Sequence, residues 1–420
     1  MNKEGKANKL IEEQLERIKP TSEEMAKINF LAEEFFTFLH FVLKKNRIDA
    51  EIFLGGSLAK GTIIRKSHYD IDVFVRFSRR HENISQLLEK VLGSKAMKIH
   101  GSRDYFQIKK ENILIEVIPV LKIKNPEEAE NVTDLSYFHV NYLVEKTKKN
   151  KKLPDEIRIT KNFCYAQRCY GAESYIKGFS GYALELLICH FGSFLEFINA
   201  AAQLKRGDKI IIDDSHFYSD KKELLEDLNE AKKQSPIILI DPTFKDRNAL
   251  AGLSEETFQK FQKVCKAFLK NPDARFFAEE DLAKKFTGKE VKKIQIKTNK
   301  QVGDIAGTKS KKFFDFFLLQ LNKDFIIRTS DFAYNGDENV ASLFFTLGKK
   351  KDEIIKGPHI SHGINVKKFK KAHPAAYIKA GFSYVKVRHT QSFEQWLLKF
   401  KRKYKKILGQ MGIVELKIIN

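Results

Sequence analysis

The chain of 420 residues carries a net charge of +22 at pH 7 and a pI near 9.5, a balance that favours a polyanionic partner, nucleic acid ahead of a membrane surface. No apolar run approaches the roughly 18 residues of a spanning helix, and the start, Met1-Asn2-Lys3-Glu4-Gly5-Lys6, lacks a secretory apolar region. Cys164, Cys169, Cys189 and Cys265 have no zinc-like spacing, so the reading is a cytoplasmic protein with reduced thiols, long enough for roughly two to four domains.

In chain order, 9–17 and 22–45 read as helices, the second capped by Ser22 with an apolar face of Ile28, Leu31, Phe35, Phe38 and Val42. Ile52-Phe53-Leu54 reads as a strand entering the turn Gly55-Gly56-Ser57, with 58–64 as the first turns of a helix. Strands over 71–77, 105–109 and 113–123 and a helix over 84–92 complete an α/β head. Helices over 135–146, 155–170 and 179–205 make a helical middle, with the basic run 146–152 as a solvated loop and Ile237 to Ile240 as a short strand. After a break near Gly252-Leu253-Ser254, a helix carries Phe258, Phe261, Val264, Cys265 and Phe268. Strands over 294–298, 325–332, 340–347 and 377–388 follow, and a helix over 392–411 closes the chain. Its stripe of Phe393, Trp396, Leu397, Phe400, Tyr404, Ile407 and Leu408 reads as core, and its lysines as phosphate contacts. His359 and His362 read as loop residues, and no internal repeat is present.

The chemistry sits in the head. Glycines let backbone approach a phosphate closely, and N–H groups at a helix start favour an anion. Ile71, Val73 and Val75 alternate with Asp70 and Asp72, so both carboxylates share one strand face and repel unless a cation lies between them. Glu116 lies in the apolar run Ile113-Leu114-Ile115-Glu116-Val117-Ile118-Pro119, where a charge is costly unless paired or bound to metal. Magnesium is held by such a set together with substrate phosphates. Each feature alone is common; a turn, a paired-acid strand and a third acidic strand in that order are not. The segment Gly56 to Thr62 imitates a Walker A loop but lacks its Gly-Lys-Ser/Thr ending.

With these motifs the chain resembles the DNA polymerase β-like nucleotidyltransferases. Phe138-His139, Lys161, Tyr170-Gly171-Ala172-Glu173, Lys177-Gly178-Phe179-Ser180-Gly181-Tyr182 with Glu185-Leu186-Leu187, and Asp241-Pro242 with Arg247-Asn248 follow in order. They narrow the resemblance to the archaeal-type (class I) CCA-adding enzymes, the tRNA nucleotidyltransferases. It is close over about 25–255 and looser to about 390. The resemblance implies an α+β multidomain protein: a polymerase β-like nucleotidyltransferase head over 1–138, a helical middle (neck) domain over 139–254, and an α+β C-terminal body and RNA-binding tail over 255–420.

By the same resemblance the chain adds C, C and A to the 3′ end of tRNA without a template, from CTP and ATP, releasing pyrophosphate. Two Mg2+ ions fall to Asp70, Asp72 and Glu116. Gly56, Ser57 and Lys60 meet the phosphates, His139, Lys161 and Tyr170 the triphosphate and sugar, and Arg247 the base edge. The partner is tRNA, held by the acceptor stem and its neighbouring arm, and a homodimer is left open. Two positions depart from the family: Glu116 stands where Asp is usual, and Lys60 where Arg is more frequent, keeping the charge without bidentate geometry. Two alternatives are a poly(A) or oligoadenylate-type RNA nucleotidyltransferase and a non-catalytic tRNA-binding protein. The intact acids stand against the second.

Overall fold

The computed structural model describes residues 3–288, 291–300, 302–336 and 338–419. Its backbone separates into two compact units, Met1–Glu280 and Asp281–Asn420. In the first, β1 (Ala50–Leu54), β2 (Tyr69–Phe77), β3 (Met97–Ile99), β4 (Tyr105–Lys110) and β5 (Ile113–Leu121) form one sheet in the order β1-β2-β5-β4-β3. Only the central pair, β2 with β5, is parallel. Helix Ser22–Lys45 covers one face of the head core with Ile28, Leu31, Phe35, Leu39 and Leu43, spaced three and four apart. Ile71, Val73, Val75, Ile115 and Val117 are buried in the same core. The cap of this helix is Thr21 rather than Ser22: Thr21 Oγ1 accepts from the Glu24 amide and the Glu24 carboxylate accepts from the Thr21 amide. The other sheet face begins with the acids and continues as Phe74, Ile118 and Val120, packed with Phe53 and Tyr105.

The middle of the first unit is helical and aromatic. Phe163 meets the rings of Phe194, Phe261, Phe268 and Phe277 at 5.1–6.1 Å. Both flanks of the chain are drawn into this core. Helix Lys3–Ile18, expected with the head, buries Ala7, Ile11 and Ile18 here. Helix Glu255–Lys270, expected to open the third domain, buries Phe258, Phe261, Cys265 and Phe268 here. The units accordingly divide after Glu280 rather than after residue 254. The single helix expected over 179–205 is two, Gly181–Phe191 and Phe194–Gln203, bent by 94° at a left-handed Gly192. Strand Ile237–Asp241 pairs with Ile210–Ile212 and Phe244–Asn248. Among the described residues no single helix is long and apolar enough to cross a membrane.

The second unit is built on an antiparallel sheet in the order Phe325–Asn335, Val340–Lys349, Val291–Thr298, Ile413–Ile419. Phe317 of helix Asp304–Leu321 meets Trp396 and Phe400 of helix Phe393–Lys403 at 5.3 and 5.0 Å. Trp396 Nε1 donates to Asp324 Oδ2 at 2.9 Å. The closing helix breaks at Tyr404, and the chain then adds the edge strand Ile413–Ile419. The strand expected over 377–388 is a hairpin turning at Ala380-Gly381, both with positive φ. His359 ends strand Glu353–His359 instead of lying in a loop.

Candidate active site

The register of β2 against β5 places Asp72 opposite Glu116 and Asp70 opposite Leu114, so all three carboxylates share one sheet face. The Gly55 amide donates to the Asp72 carbonyl at 2.8 Å, which ties the turn to the acidic strand. Gly56 follows with φ +58°, and a Cβ there would lie 1.6 Å from Asp72 Oδ2. Only glycine lets the backbone pass so close to a carboxylate. The helix after the turn is short, Gly56–Ala59, because a left-handed Gly61 ends it where 58–64 was expected to continue.

Asp72 and Glu116 are half-buried and Asp70 is exposed at the rim, and the row is self-repelling. Burial, with the charge of Asp70 adding to it, pushes Asp72 up to about 6. Burial and the nearby Asp72 push Glu116 up to about 7, against a 2.7 Å hydrogen bond from Gln107 Nε2. Burial also raises Asp70, opposed by Lys66 and His68. A dication would reverse these shifts, and an all-oxygen donor set suits magnesium. Among the described residues no three or more His, Cys, Asp or Glu side chains already form a metal cage.

A cavity of about 340 Å³ opens over the row. Gly56, Ser57, Lys60, Asp70, Asp72 and Glu116 line it from the head, and Lys161, Tyr170, Tyr182 and Glu185 from the middle. Lys60 Nζ lies 2.6 Å from Glu185 Oε2, and Lys161 Nζ lies 2.7 Å from Glu185 Oε1 and 3.1 Å from Thr62 Oγ1. Burial works to raise Glu185, and the two lysines outweigh it and hold the carboxyl below its ordinary value. Tyr170 stacks on Tyr165 at 4.0 Å, with Lys66 Nζ 4.1 Å over the Tyr165 ring. A Cβ on Gly181 would lie 2.7 Å from the Tyr170 hydroxyl, so glycine here lets the phenol reach the start of helix Gly181–Phe191.

His139 and Arg247 are not on the cavity wall; they stand behind Tyr182, which is. The His139 ring stacks on Tyr182 at 4.1 Å. Fully buried Asp241 organises the group: Oδ2 lies 2.9 Å from His139 Nε2 and 2.5 Å from Arg247 Nη1, and Oδ1 accepts from the Tyr182 hydroxyl at 2.9 Å. Burial pushes Asp241 up, and the His139 hydrogen bond with the charges around it overcomes this and holds the carboxyl well below the usual range.

Eight of the ten residues singled out in the sequence thus converge on one cavity, and two reach it through Tyr182. Glu185, Thr62 and Asp241 were not among them. Glu185 had a legible signal, as the only acidic residue in the apolar helix Gly181–Phe191. Asp241 had a similar one at the end of the buried strand Ile237–Asp241.

Two family models match parts of the first unit. Residues 37–160 match the family described as nucleotidyltransferase domain, and residues 155–278 match tRNA nucleotidyltransferase, second domain. The CCA-adding enzyme of Nanoarchaeum equitans is 42% identical over 223 residues, covering 52% of this chain and 55% of that protein. That of Methanocaldococcus jannaschii is 33% identical over 288 residues, covering 66% and 62%. That of Methanosarcina barkeri is 26% identical over 383 residues, covering 86% and 81%. The chain therefore spans little more than half the length of the first of these relatives. Among solved structures, a Cid1 poly(U) polymerase bound to MgATP superposes with a TM-score of 0.52 at 14% identity, covering 65% of this chain and 98% of that one. A cytoplasmic RNA terminal U-transferase gives 0.51 at 13% identity, covering 66% and 99%. These two likenesses establish the nucleotidyltransferase fold alone.

Proposed function

From a chain that belongs to the nucleotidyltransferases joining this head to the tRNA nucleotidyltransferase second domain, we propose the template-independent addition of C, C and A to the 3′ end of tRNA, from CTP and ATP with release of pyrophosphate. One observation carries the reading: three carboxylates on a sheet face look across a single cavity at two buried lysines. That cavity offers cation-seeking oxygens on one side and anion-seeking ammoniums on the other, as a magnesium-bound triphosphate requires.

The 3′-hydroxyl attacks the α-phosphorus, its oxygen bonding to phosphorus as the bridging oxygen leaves with pyrophosphate. Asp70 and Asp72 would hold two magnesium ions, and Glu116 would complete the one beside the hydroxyl. When bound, such ions lower the pKa of the hydroxyl and neutralise charge on the phosphates. Ser57, Lys60 and Lys161 orient the triphosphate, and Tyr170 presents its ring and hydroxyl to the sugar. Arg247, fixed by Asp241 behind the Tyr182 ring, acts on the base through Tyr182, which lines the cavity. CTP and ATP share triphosphate and ribose, so selection rests on base hydrogen bonds that the wrong base leaves unpaired. The basic second unit supplies the surface for the tRNA acceptor stem and its neighbouring arm.

The test is incubation of a tRNA transcript lacking its last three nucleotides with magnesium and CTP, ATP or both, followed by sequencing of the 3′ ends. Two C residues and then a single A are expected. Long A tails, or addition indifferent to CTP, would overturn the reading and place the protein with poly(A)-type enzymes.

A further inference from the structure

Lys60, Lys161 and Glu185 form a closed, buried set: their side chains are 11%, 5% and 1% exposed, and each Glu185 oxygen takes one ammonium. Thr62 Oγ1 donates to Glu185 Oε1 at 3.2 Å and accepts from Lys161 at 3.1 Å, which fixes the carboxylate plane. We infer that Glu185 is a positioning residue that sets the gap between Lys60 and Lys161 and cancels one of their two charges, so that the pair grips a nucleoside triphosphate yet releases pyrophosphate. This rests on the reading of the cavity as a triphosphate site.

Two ammoniums this close in a poorly solvated place repel each other, and removing the shared carboxylate leaves both uncompensated. With it the set carries one net positive charge. An ammonium has three donors; Lys60 spends one on Glu185, and Lys161 spends one on Glu185 and one on Thr62. Donors remain on both for phosphate oxygens. Pyrophosphate keeps the same β and γ phosphoryl groups that the lysines hold before reaction. A site with two full charges would bind substrate and product alike, and such uniform binding slows release without helping the chemical step. A carboxylate built between the lysines moderates that grip and keeps their spacing.

The full chain, assayed for CMP incorporation into tRNA with pyrophosphate as the inhibitor, tests this through Glu185→Gln. The substitution keeps the shape and one acceptor and removes the charge. The inhibition constant for pyrophosphate should fall about tenfold, equal to about 1.4 kcal/mol of tighter binding, with KM for CTP and kcat both lowered. An unchanged or raised inhibition constant alongside a lower melting temperature would leave Glu185 a merely structural ion-pair partner and overturn the inference. Should Glu185→Gln fail to fold, Glu185→Asp keeps the charge but shortens the reach. Its KM for CTP and its inhibition constant for pyrophosphate should both rise about tenfold, because the lysines hold the same two phosphoryl groups in each, and an unchanged KM would overturn the positioning role. Lys60→Met and Lys161→Met separate the underlying reading: if neither weakens pyrophosphate, the cavity is not a triphosphate site, whatever Glu185 does.

Discussion

Two charged groups face the same cavity in opposite states of completion. The Asp70–Asp72–Glu116 row gathers like charges, and burial with mutual repulsion pushes two of them up to about 6 and about 7. The Lys60–Lys161–Glu185 set gathers opposite charges, each at a hydrogen-bonded distance from its partner. The first is electrostatically unfinished without a cation, whereas the second is satisfied by protein alone but for one remaining positive charge. On the proposed function, the acidic row of the head takes a dication, and Lys60 of the head with Lys161 of the middle takes an anion and lets it leave.

The sharpest way to break this contrast is to remove a member of the row. Asp70→Ala and Glu116→Ala should each lower nucleotide incorporation about a thousandfold or more, the several kcal/mol that metal ions contribute. Binding of tRNA, measured by filter retention, should stay nearly unchanged. Glu116→Asp keeps the carboxylate on a shorter side chain and should stay within about tenfold of wild type. On the other side, Lys161→Met should lower kcat/KM for CTP about a hundredfold. It should also destabilise the first unit by about 3 kcal/mol in urea unfolding, because a buried ion pair loses one partner.

A smaller effect sharpens the contrast by pH. Carboxylates whose folded pKa is raised favour the fold below the unfolded value near 4 and lose that contribution as pH rises through about 6 and 7. The metal-free protein should therefore lose stability between pH 4 and 7. Added magnesium should raise the melting temperature more at pH 8 than at pH 5, and equal shifts at both would count against the row as its site. Smallest in structural terms is salt. Lysine and arginine contacts to RNA release counterions, so tRNA affinity should fall linearly with salt on logarithmic axes. A flat response would remove the basic surface as the RNA site.

Much of this site was legible in the sequence because it depends on local pattern. Strand alternation alone puts Asp70 and Asp72 on one face, and the charge in the apolar run of β5 marks Glu116. What sequence could not show was pairing across distance. Lys60 and Glu185 are 125 residues apart and His139 and Arg247 are 108 apart, yet each pair meets through folding. The packing partners of two flanking helices were hidden for a related reason. Helices Lys3–Ile18 and Glu255–Lys270 have apolar stripes that declare burial without naming a partner, and both enter the aromatic core around Phe163. The break at Gly192 and the hairpin at Ala380-Gly381 escaped because only one or two left-handed residues interrupt otherwise continuous apolar patterns.

The most direct measurement is single-turnover incorporation of one CMP into tRNA lacking its last three nucleotides, by wild type and Asp72→Asn at saturating magnesium. That substitution keeps the size of the side chain and relieves repulsion in the row, so the protein should fold at least as well. The account predicts a rate about a thousandfold or more below wild type, with tRNA affinity unaltered. Incorporation within tenfold of wild type would contradict it.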